Sequence, residues 1–291
     1  MQTPTIEPAD RVEPAALHAA FTLAFSDYLI GPFSLSPTQW PSFMARQAVS
    51  LGSSRVVCRG SEVLAFALVA PRPDVSRWRL ATMGAVPAAR GSGVAQALLD
   101  DFVARAALAG QRAVELEVFA QNERAVRLYR SRGFEPRHEL LGYRWPAGTA
   151  AAQGSGDHDA VREVGREQAF AWLADTQALL PGLPLQVTPP VLAALPNALQ
   201  CWQYGQAQLV FSIAAARSAV VHSLVDRQPG QLDAEHLVRA LLARHGADGI
   251  EVPQLQRPDV GGEALARAGF ERQALHQLLM QRDCCEGAAR C

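Results

Sequence analysis

Apolar residues recur at helical spacing from Pro14 to Leu29, where Leu17, Phe21, Ala24 and Phe25 share one face and Pro14 suits the helix start. A second helix is predicted after Ser36: its hydroxyl can cap the helix, Pro37 suits the first turn, and Trp40, Phe43, Met44 and Ala48 form the apolar stripe. Arg55–Cys58 and Glu62–Ala70 read as two strands joined through Arg59-Gly60-Ser61 as a hairpin, and Arg79–Val86 reads as a third strand. Val94–Leu108 repeats Val94, Leu98, Phe102 and Ala106 on one face, which predicts a strong helix. Ala113–Phe119 alternates Val114, Leu116 and Val118 with Glu115 and Glu117, the pattern of a strand. Asn122–Arg132 is a predicted helix stopped by Gly133, and Phe134–Trp145 a final strand region. Helices, then an antiparallel meander, then strand–helix–strand–helix–strand predict an α+β fold. Its mixed, mostly antiparallel central sheet is flanked by helices, with parallel pairing near the first long crossover.

The stretch Pro146–Asp159 is small, polar, aperiodic and glycine-containing, which is linker composition. It divides the chain into an expected first domain at 1–145 and a second at 160–291. The second half repeats the element order: a helix at Glu167–Leu180, strands at Leu199–Tyr204, Gln208–Ile213 and Ser218–Leu224, and a helix at Ala234–His245. Gly133-Phe134-Glu135 recurs as Gly269-Phe270-Glu271, and at the same offset Val114-Glu115-Leu116 falls on Ile250-Glu251-Val252.

Composition narrows the chemistry. The 291 residues are 49 % hydrophobic and 19 % charged, enough apolar content for packed cores. Lys+Arg is 27 against Asp+Glu 28, so no global basic field favours nucleic acid. Every one of those cations is Arg, which excludes Schiff-base and pyridoxal chemistry and a phosphate-binding P-loop. The cluster Arg124, Arg127, Arg130 and Arg132 reads as a solvated helix face. The cysteines, Cys58, Cys201, Cys284, Cys285 and Cys291, contain no CxxC pair, so no metal site is expected and reduced thiols in a cytoplasmic protein fit best. The longest apolar run, Val63–Ala70, is far too short to span a bilayer, and the N-terminus has no apolar signal region, so no membrane partner is expected.

The most informative segment is Val86-Pro87-Ala88-Ala89-Arg90-Gly91-Ser92-Gly93-Val94-Ala95, between a strand end and an amphipathic helix. Free N–H groups at such a helix start, with the helix dipole, favour a phosphate or pyrophosphate. Gln96 stands where a dinucleotide fingerprint needs its last glycine, so that reading fails; an ordinary strand–helix turn stays open on the loop alone. About thirty residues on comes Asn122-x-x-Ala125-x-x-Leu128-Tyr129-x-x-x-Gly133-Phe134, with Asn122, Ala125 and Tyr129 near one helix face. Together the two segments resemble the acyl-CoA site of the GCN5-related N-acetyltransferase (GNAT) superfamily, over roughly residues 5–145. Its R/Q-x-x-G-x-G/A loop matches Arg90-Gly91-Ser92-Gly93-Val94-Ala95, and its N-x-x-A-x-x-L-Y-x-x-x-G-F helix matches without a gap.

The resemblance implies a GNAT fold, in two tandem copies, and acetyl-CoA as co-substrate. It implies that the amides of Arg90, Gly91, Ser92, Gly93, Val94 and Ala95 hold the pyrophosphate. The strand ending at Ala85-Val86 would pair with the pantetheine arm, the N–H near Val86 would face the thioester oxygen, and Asn122 would contact the CoA arm. Tyr129 is implied as the general acid. Glu117 is a candidate base by similarity to ribosomal-protein N-terminal acetyltransferases; the alternative is that Glu115 and Glu117 are solvent-facing charges on a half-exposed strand. Acceptor recognition is expected in the N-terminal helices, where Asp27 could attract a cationic amine and Tyr28 pack against it; Asp27 as a simple helix terminator stays open.

In the second half the loop position reads Asp226-Arg227-Gln228-Pro229-Gly230-Gln231, and Glu117, Asn122 and Tyr129 map to Pro253, Pro258 and Leu265. A degenerate, non-catalytic GNAT-like domain is expected there, stabilising the first half, shaping the acceptor cleft or forming a homodimer. The expected function is N-acetyl transfer to the primary amine of a small molecule or peptide; the alternative is a non-catalytic acyl-CoA-binding or interaction module.

Overall fold

The computed structural model describes residues 3–149, 160–214 and 217–284. Residues 150–159 of the expected linker, and Cys285 and Cys291, lie outside these. The chain divides into two compact units, residues 1–137 with 280–291, and residues 138–279.

The first unit begins with β1 (Thr5–Pro8), which the sequence pattern did not reveal, and α1 (Pro14–Ala24), shorter than predicted. Phe25, after α1, has a non-helical ψ, and turns follow through Gly31, a glycine at φ +96°. Before α2 (Trp40–Arg46), Ser36 and Gln39 cap each other: the Gln39 N–H donates to Ser36 Oγ and the Ser36 N–H to Gln39 Oε1. β2 (Ser50–Arg59), β3 (Glu62–Arg72) and β4 (Arg77–Ala85) form an antiparallel meander, with β1 on the outer edge of β2. α3 (Val94–Leu108) crosses over to β5 (Ala113–Phe119), and α4 (Glu123–Ser131) leads to β6 (Glu135–Trp145). β3 is buried along nearly its whole length because both faces are covered. Phe21 of α1 gathers Phe25, Phe33, Trp40, Phe43 and Phe66 into an aromatic cluster, and Phe102 of α3 stacks with Trp78 of β4.

One irregularity positions the site. β4 pairs in parallel with β5 only from Arg77↔Ala113 to Leu80↔Leu116. At the end of that ladder the β3–β4 register shifts: Val69 faces Leu80 but Leu68 faces Thr82, leaving Ala81 as the extra residue of a bulge. Beyond Leu80, β4 stays paired with β3 but no longer pairs with β5, and a gap opens between β4 and β5.

The second unit contains β7 (Arg162–Glu163), α5 (Arg166–Leu179), α6 (Pro189–Leu192), β8 (Gln200–Tyr204), β9 (Ala207–Ile213), β10 (Ala219–Asp226), α7 (Leu232–His245), β11 (Ile250–Gln256), α8 (Gly262–Arg267) and β12 (Glu271–Asp283). β8, β9 and β10 form an antiparallel meander, and β10 pairs in parallel with β11 at Ala219↔Ile250 and Val220↔Glu251. A bulge follows at once at His222. Meander, bulge and short parallel ladder thus recur in the order seen in the first unit. Gly133 and Gly269 end α4 and the α8 segment with φ of +77° and +94°.

The unit boundary falls inside β6 rather than at Pro146–Asp159, so the expected first domain of 1–145 does not coincide with the first compact unit. His138–Trp145 belongs to the second unit: it pairs with β11 from Leu141 to Trp145, and its Leu141, Tyr143 and Trp145 join Leu237, Leu241, Leu265 and Phe270 in that unit's core. In return Met280–Asp283, the end of β12, belongs to the first unit, where β12 neighbours β5. The Cys284 N–H donates to the Arg112 carbonyl, and Arg282 donates to that of Arg132. The second unit therefore takes most of β6 along with most of β12, and the first unit takes only the end of β12.

Candidate active site

A cleft of about 920 Å³ lies in the first unit, lined by the end of α1, the following loop, the free part of β4, the start of α3 and one face of α4. Gly91 and Gly93 have φ of +79° and +90°, a region L-residues avoid, and a Cβ on either meets nothing within 4 Å. These glycines are required by backbone conformation, and they leave the loop open. The N–H groups of Gly91, Gly93, Val94, Ala95 and Gln96 donate to no acceptor among the described residues. Five free donors thus gather at the positive end of a fifteen-residue helix, an anion cradle ready for phosphate oxygens.

Two side chains of the predicted loop turn away from it. Ser92 donates its hydroxyl to the Ala89 carbonyl at 2.6 Å, and its N–H reaches the same oxygen. Arg90 grips Asp27 with two hydrogen bonds of 2.6 and 2.7 Å, and also reaches the carbonyls of Ala24 and Ala85. It ties the end of α1 to the end of β4. Asp27 consequently lies in the cleft with its carboxylate already paired, its pKa held below the usual value by the Arg90 hydrogen bonds. It is not the free anion the sequence suggested for a cationic amine.

The expected donor at Val86 also moves. The Val86 N–H bonds the Leu64 carbonyl at 2.9 Å and is spent within the sheet. With Phe66 opposite Gly84 and Ala65 opposite Ala85, strand alternation turns the peptide groups of Met83 and Ala85 away from β3, toward the gap. Met83 and Ala85 line the cleft; Val86 does not. Gly84 between them is required by packing, since a Cβ there would stand 2.7 Å from Phe66 and 2.9 Å from Ala24.

Asn122 caps α4, its Oδ1 accepting from the Ala125 N–H at 3.2 Å, while its Nδ2 has no partner among the described residues and Asn122 lines the cleft. Tyr129 lines the same cleft from a buried position and packs on Phe134. Its hydroxyl has no hydrogen-bond partner among the described residues, and burial, with a smaller contribution from Tyr28, pushes its pKa well above the ordinary phenol value. Tyr28 lines the cleft beside Phe25, ring centroids 5.0 Å apart and edge-on, and its pKa is also raised by burial.

Glu117 is placed elsewhere. Arg79 contacts its Oε2 at 2.6 Å, both side chains are at most 3 % exposed, and Glu117 is not among the residues lining the cleft. Glu115 is similarly engaged by Arg72 and Arg77. The picture of two solvent-facing carboxylates is overturned, because β5 lies inside the sheet with both faces covered.

Residues 18–134 match the Acetyltransferase (GNAT) family. This segment is a GNAT acetyltransferase domain. Solved structures share the fold across both units. The GCN5-related N-acetyltransferase from Anabaena variabilis has 14 % identity and a TM-score of 0.68, over 97 % of this chain and 73 % of that one. Those from Sphaerobacter thermophilus (14 %, 0.61, 98 % and 97 %) and Kribbella flavida (18 %, 0.62, 97 % and 71 %) are similar in extent. No curated protein sequence matches the chain. The GNAT domain's cleft thus contains the loop, Asn122 and Tyr129, and brings Ala85, Met83, Tyr28 and Asp27 to them.

The corresponding place in the second unit is closed by the chain itself. Asp226, 2 % exposed, accepts from the N–H groups of Gln228 at 2.8 Å and Ala234 at 2.9 Å, at the start of α7. Gln256 spans the Leu224 and Arg257 carbonyls where β10 and β11 part. Among the described residues no group of three or more His, Cys, Asp or Glu side chains is placed to hold a metal, and no helix is long and apolar enough to cross a membrane.

Proposed function

We propose that this chain is an acetyl-CoA-dependent N-acetyltransferase that acts on a primary amine, with its catalytic site in the first unit and a second unit that is a degenerate, non-catalytic GNAT-like copy. The observation that carries the reading is the convergence in one cleft of five free amides at the loop, a strand whose Met83 and Ala85 N–H groups turn from the sheet, and an unpartnered phenol. The residues fit the co-substrate. The amides of Gly91 and Gly93–Gln96 would hold its pyrophosphate, and the free edge of β4 its pantetheine arm. Acetyl-CoA supplies an acetyl group activated as a thioester.

The chain's own groups do the rest. The N–H of Met83 or Ala85 is oriented to donate to the carbonyl oxygen as negative charge grows there. The Tyr129 phenol donates a hydrogen bond to the departing sulfur. A thiol titrates at about 8.5 and an ordinary phenol at about 10, so with its pKa raised Tyr129 keeps its proton while stabilising the thiolate. A carbon–nitrogen bond forms, the carbon–sulfur bond breaks, the nitrogen loses one proton and the sulfur gains one. Glu117, ion-paired and outside the lining, leaves water as the relay for that proton. Arg90 acts by position, fixing the loop to α1 and β4.

Calorimetry of CoA against the full chain and its Gly93→Glu variant tests the placement. The substitution adds a negative charge beside the amides and forces a side chain onto a left-handed backbone. CoA binding should be lost; undiminished binding would overturn the assignment.

A further inference from the structure

The acceptor class can be read from the charges and rings that line the cleft, given the acetyl-transfer reading on which this inference rests. Asp27 and Glu123 are the lining carboxylates, and both are ion-paired within the lining, to Arg90 and Arg127. Arg124 also lines the cleft and has no ion pair among the described residues. The lining is therefore positive in balance and holds no carboxylate free to receive a second cation. Its remaining wall, from the end of α1 and from β4, is apolar: Phe25, Tyr28, Leu29 and Met83. Phe25 and Tyr28 meet edge-on, and Tyr28 stands 6.3 Å from Phe119 between ring centroids. Leu29 is 45 % exposed, a large apolar side chain left uncovered beside those rings.

We propose that the acceptor is a small monoamine whose chain carries an aromatic or branched aliphatic group, and that polycationic amines are disfavoured. Apolar substituents gain by burial against the rings and Leu29. Each additional ammonium on a polyamine or aminoglycoside would be desolvated beside arginines with no carboxylate to pair with.

The experiment follows CoA thiol release by the full-length protein at saturating acetyl-CoA, with phenethylamine, isoamylamine, spermidine and kanamycin as acceptors. The expected kcat/KM is at least about tenfold higher for the two apolar amines than for spermidine or kanamycin, the scale on which a hydrophobic pocket discriminates. Leu29→Asp introduces the missing carboxylate at an exposed position. It should shift the phenethylamine-to-spermidine ratio at least about tenfold toward spermidine, with the KM for acetyl-CoA unchanged. Preference of the unaltered protein for spermidine or kanamycin, or no turnover of either apolar amine while calorimetry shows normal CoA binding, overturns the acceptor class alone. An unchanged ratio in Leu29→Asp overturns the role of this wall. Absence of CoA binding overturns the acetyl-transfer reading and this inference with it.

Discussion

Tyr129 combines three properties that a donor to a leaving thiolate needs: burial, a hydroxyl without a protein partner, and a raised pKa that keeps it protonated far into the alkaline range. Tyr129→Phe removes only the hydroxyl and preserves the packing on Phe134. The expected result is a kcat lower by about 10²–10⁴-fold with the Kd for CoA little changed. Full activity would remove the residue from the mechanism. Glu117 leads to the opposite expectation. Its partner Arg79 is nearly inaccessible, so Glu117→Gln leaves a buried guanidinium short of charge, at a cost of order 3–5 kcal/mol. Denaturant unfolding should register that loss, while the pH–rate profile of the surviving folded enzyme keeps its shape. A displaced profile would restore Glu117 as the base. Sequence spacing placed both residues on the right elements, but it carries no information on what covers β5, and that decided between catalysis and an ion pair.

At the scale of elements, the loop and the α4 helix were legible because their requirements are local. Left-handed glycines, a capping Asn and a helix-ending Gly133 are properties of a few consecutive residues. Which peptide N–H faces the cleft was not legible. Whether Val86 or Ala85 faces the cleft depends on the parity of β4 against β3 and on the bulge at Ala81, which are set by pairing across the sheet. Asn122 shows how a local role and a site role separate. Its Oδ1 caps α4, and its Nδ2, without a partner among the described residues, lines the cleft where we propose the co-substrate binds. Asn122→Ser retains a capping oxygen but loses the amide donor, so thermal stability should hold while CoA affinity falls. Asn122→Ala should lower both, with about 1 kcal/mol lost from the cap. Equal CoA affinity in wild type and Asn122→Ser would confine the residue to capping.

For the whole molecule, the recurrence of Gly-Phe-Glu at the two α-to-β junctions pointed to a repeated element order, but the division of β6 and β12 between the units was hidden. β6 and β12 both follow equivalent glycines, and nothing local decides where along each strand one unit gives way to the other. The second unit's loop is occupied by Asp226, whose carboxylate takes the Gln228 amide of the loop and the Ala234 amide in the first turn of α7, a negative charge where a phosphate would sit. We therefore expect one CoA bound per chain in equilibrium titration, and a stoichiometry near two would refute the degenerate assignment. The division of these strands makes a stronger demand on truncation. A fragment ending at Ala147 keeps β6, whose His138–Trp145 belongs to the second unit's core, and loses Met280–Cys284, which the first unit uses beside β5. It would expose Leu141, Tyr143 and Trp145 and leave β5 an open edge, two routes to aggregation. Such a fragment should be poorly soluble even though it contains every residue assigned to the cleft. Sedimentation and activity measured on it decide the matter. A soluble fragment with full turnover would show that the first unit needs nothing from the rest of the chain, and recovery of solubility on restoring residues 271–284 through a flexible linker would locate the requirement in β12.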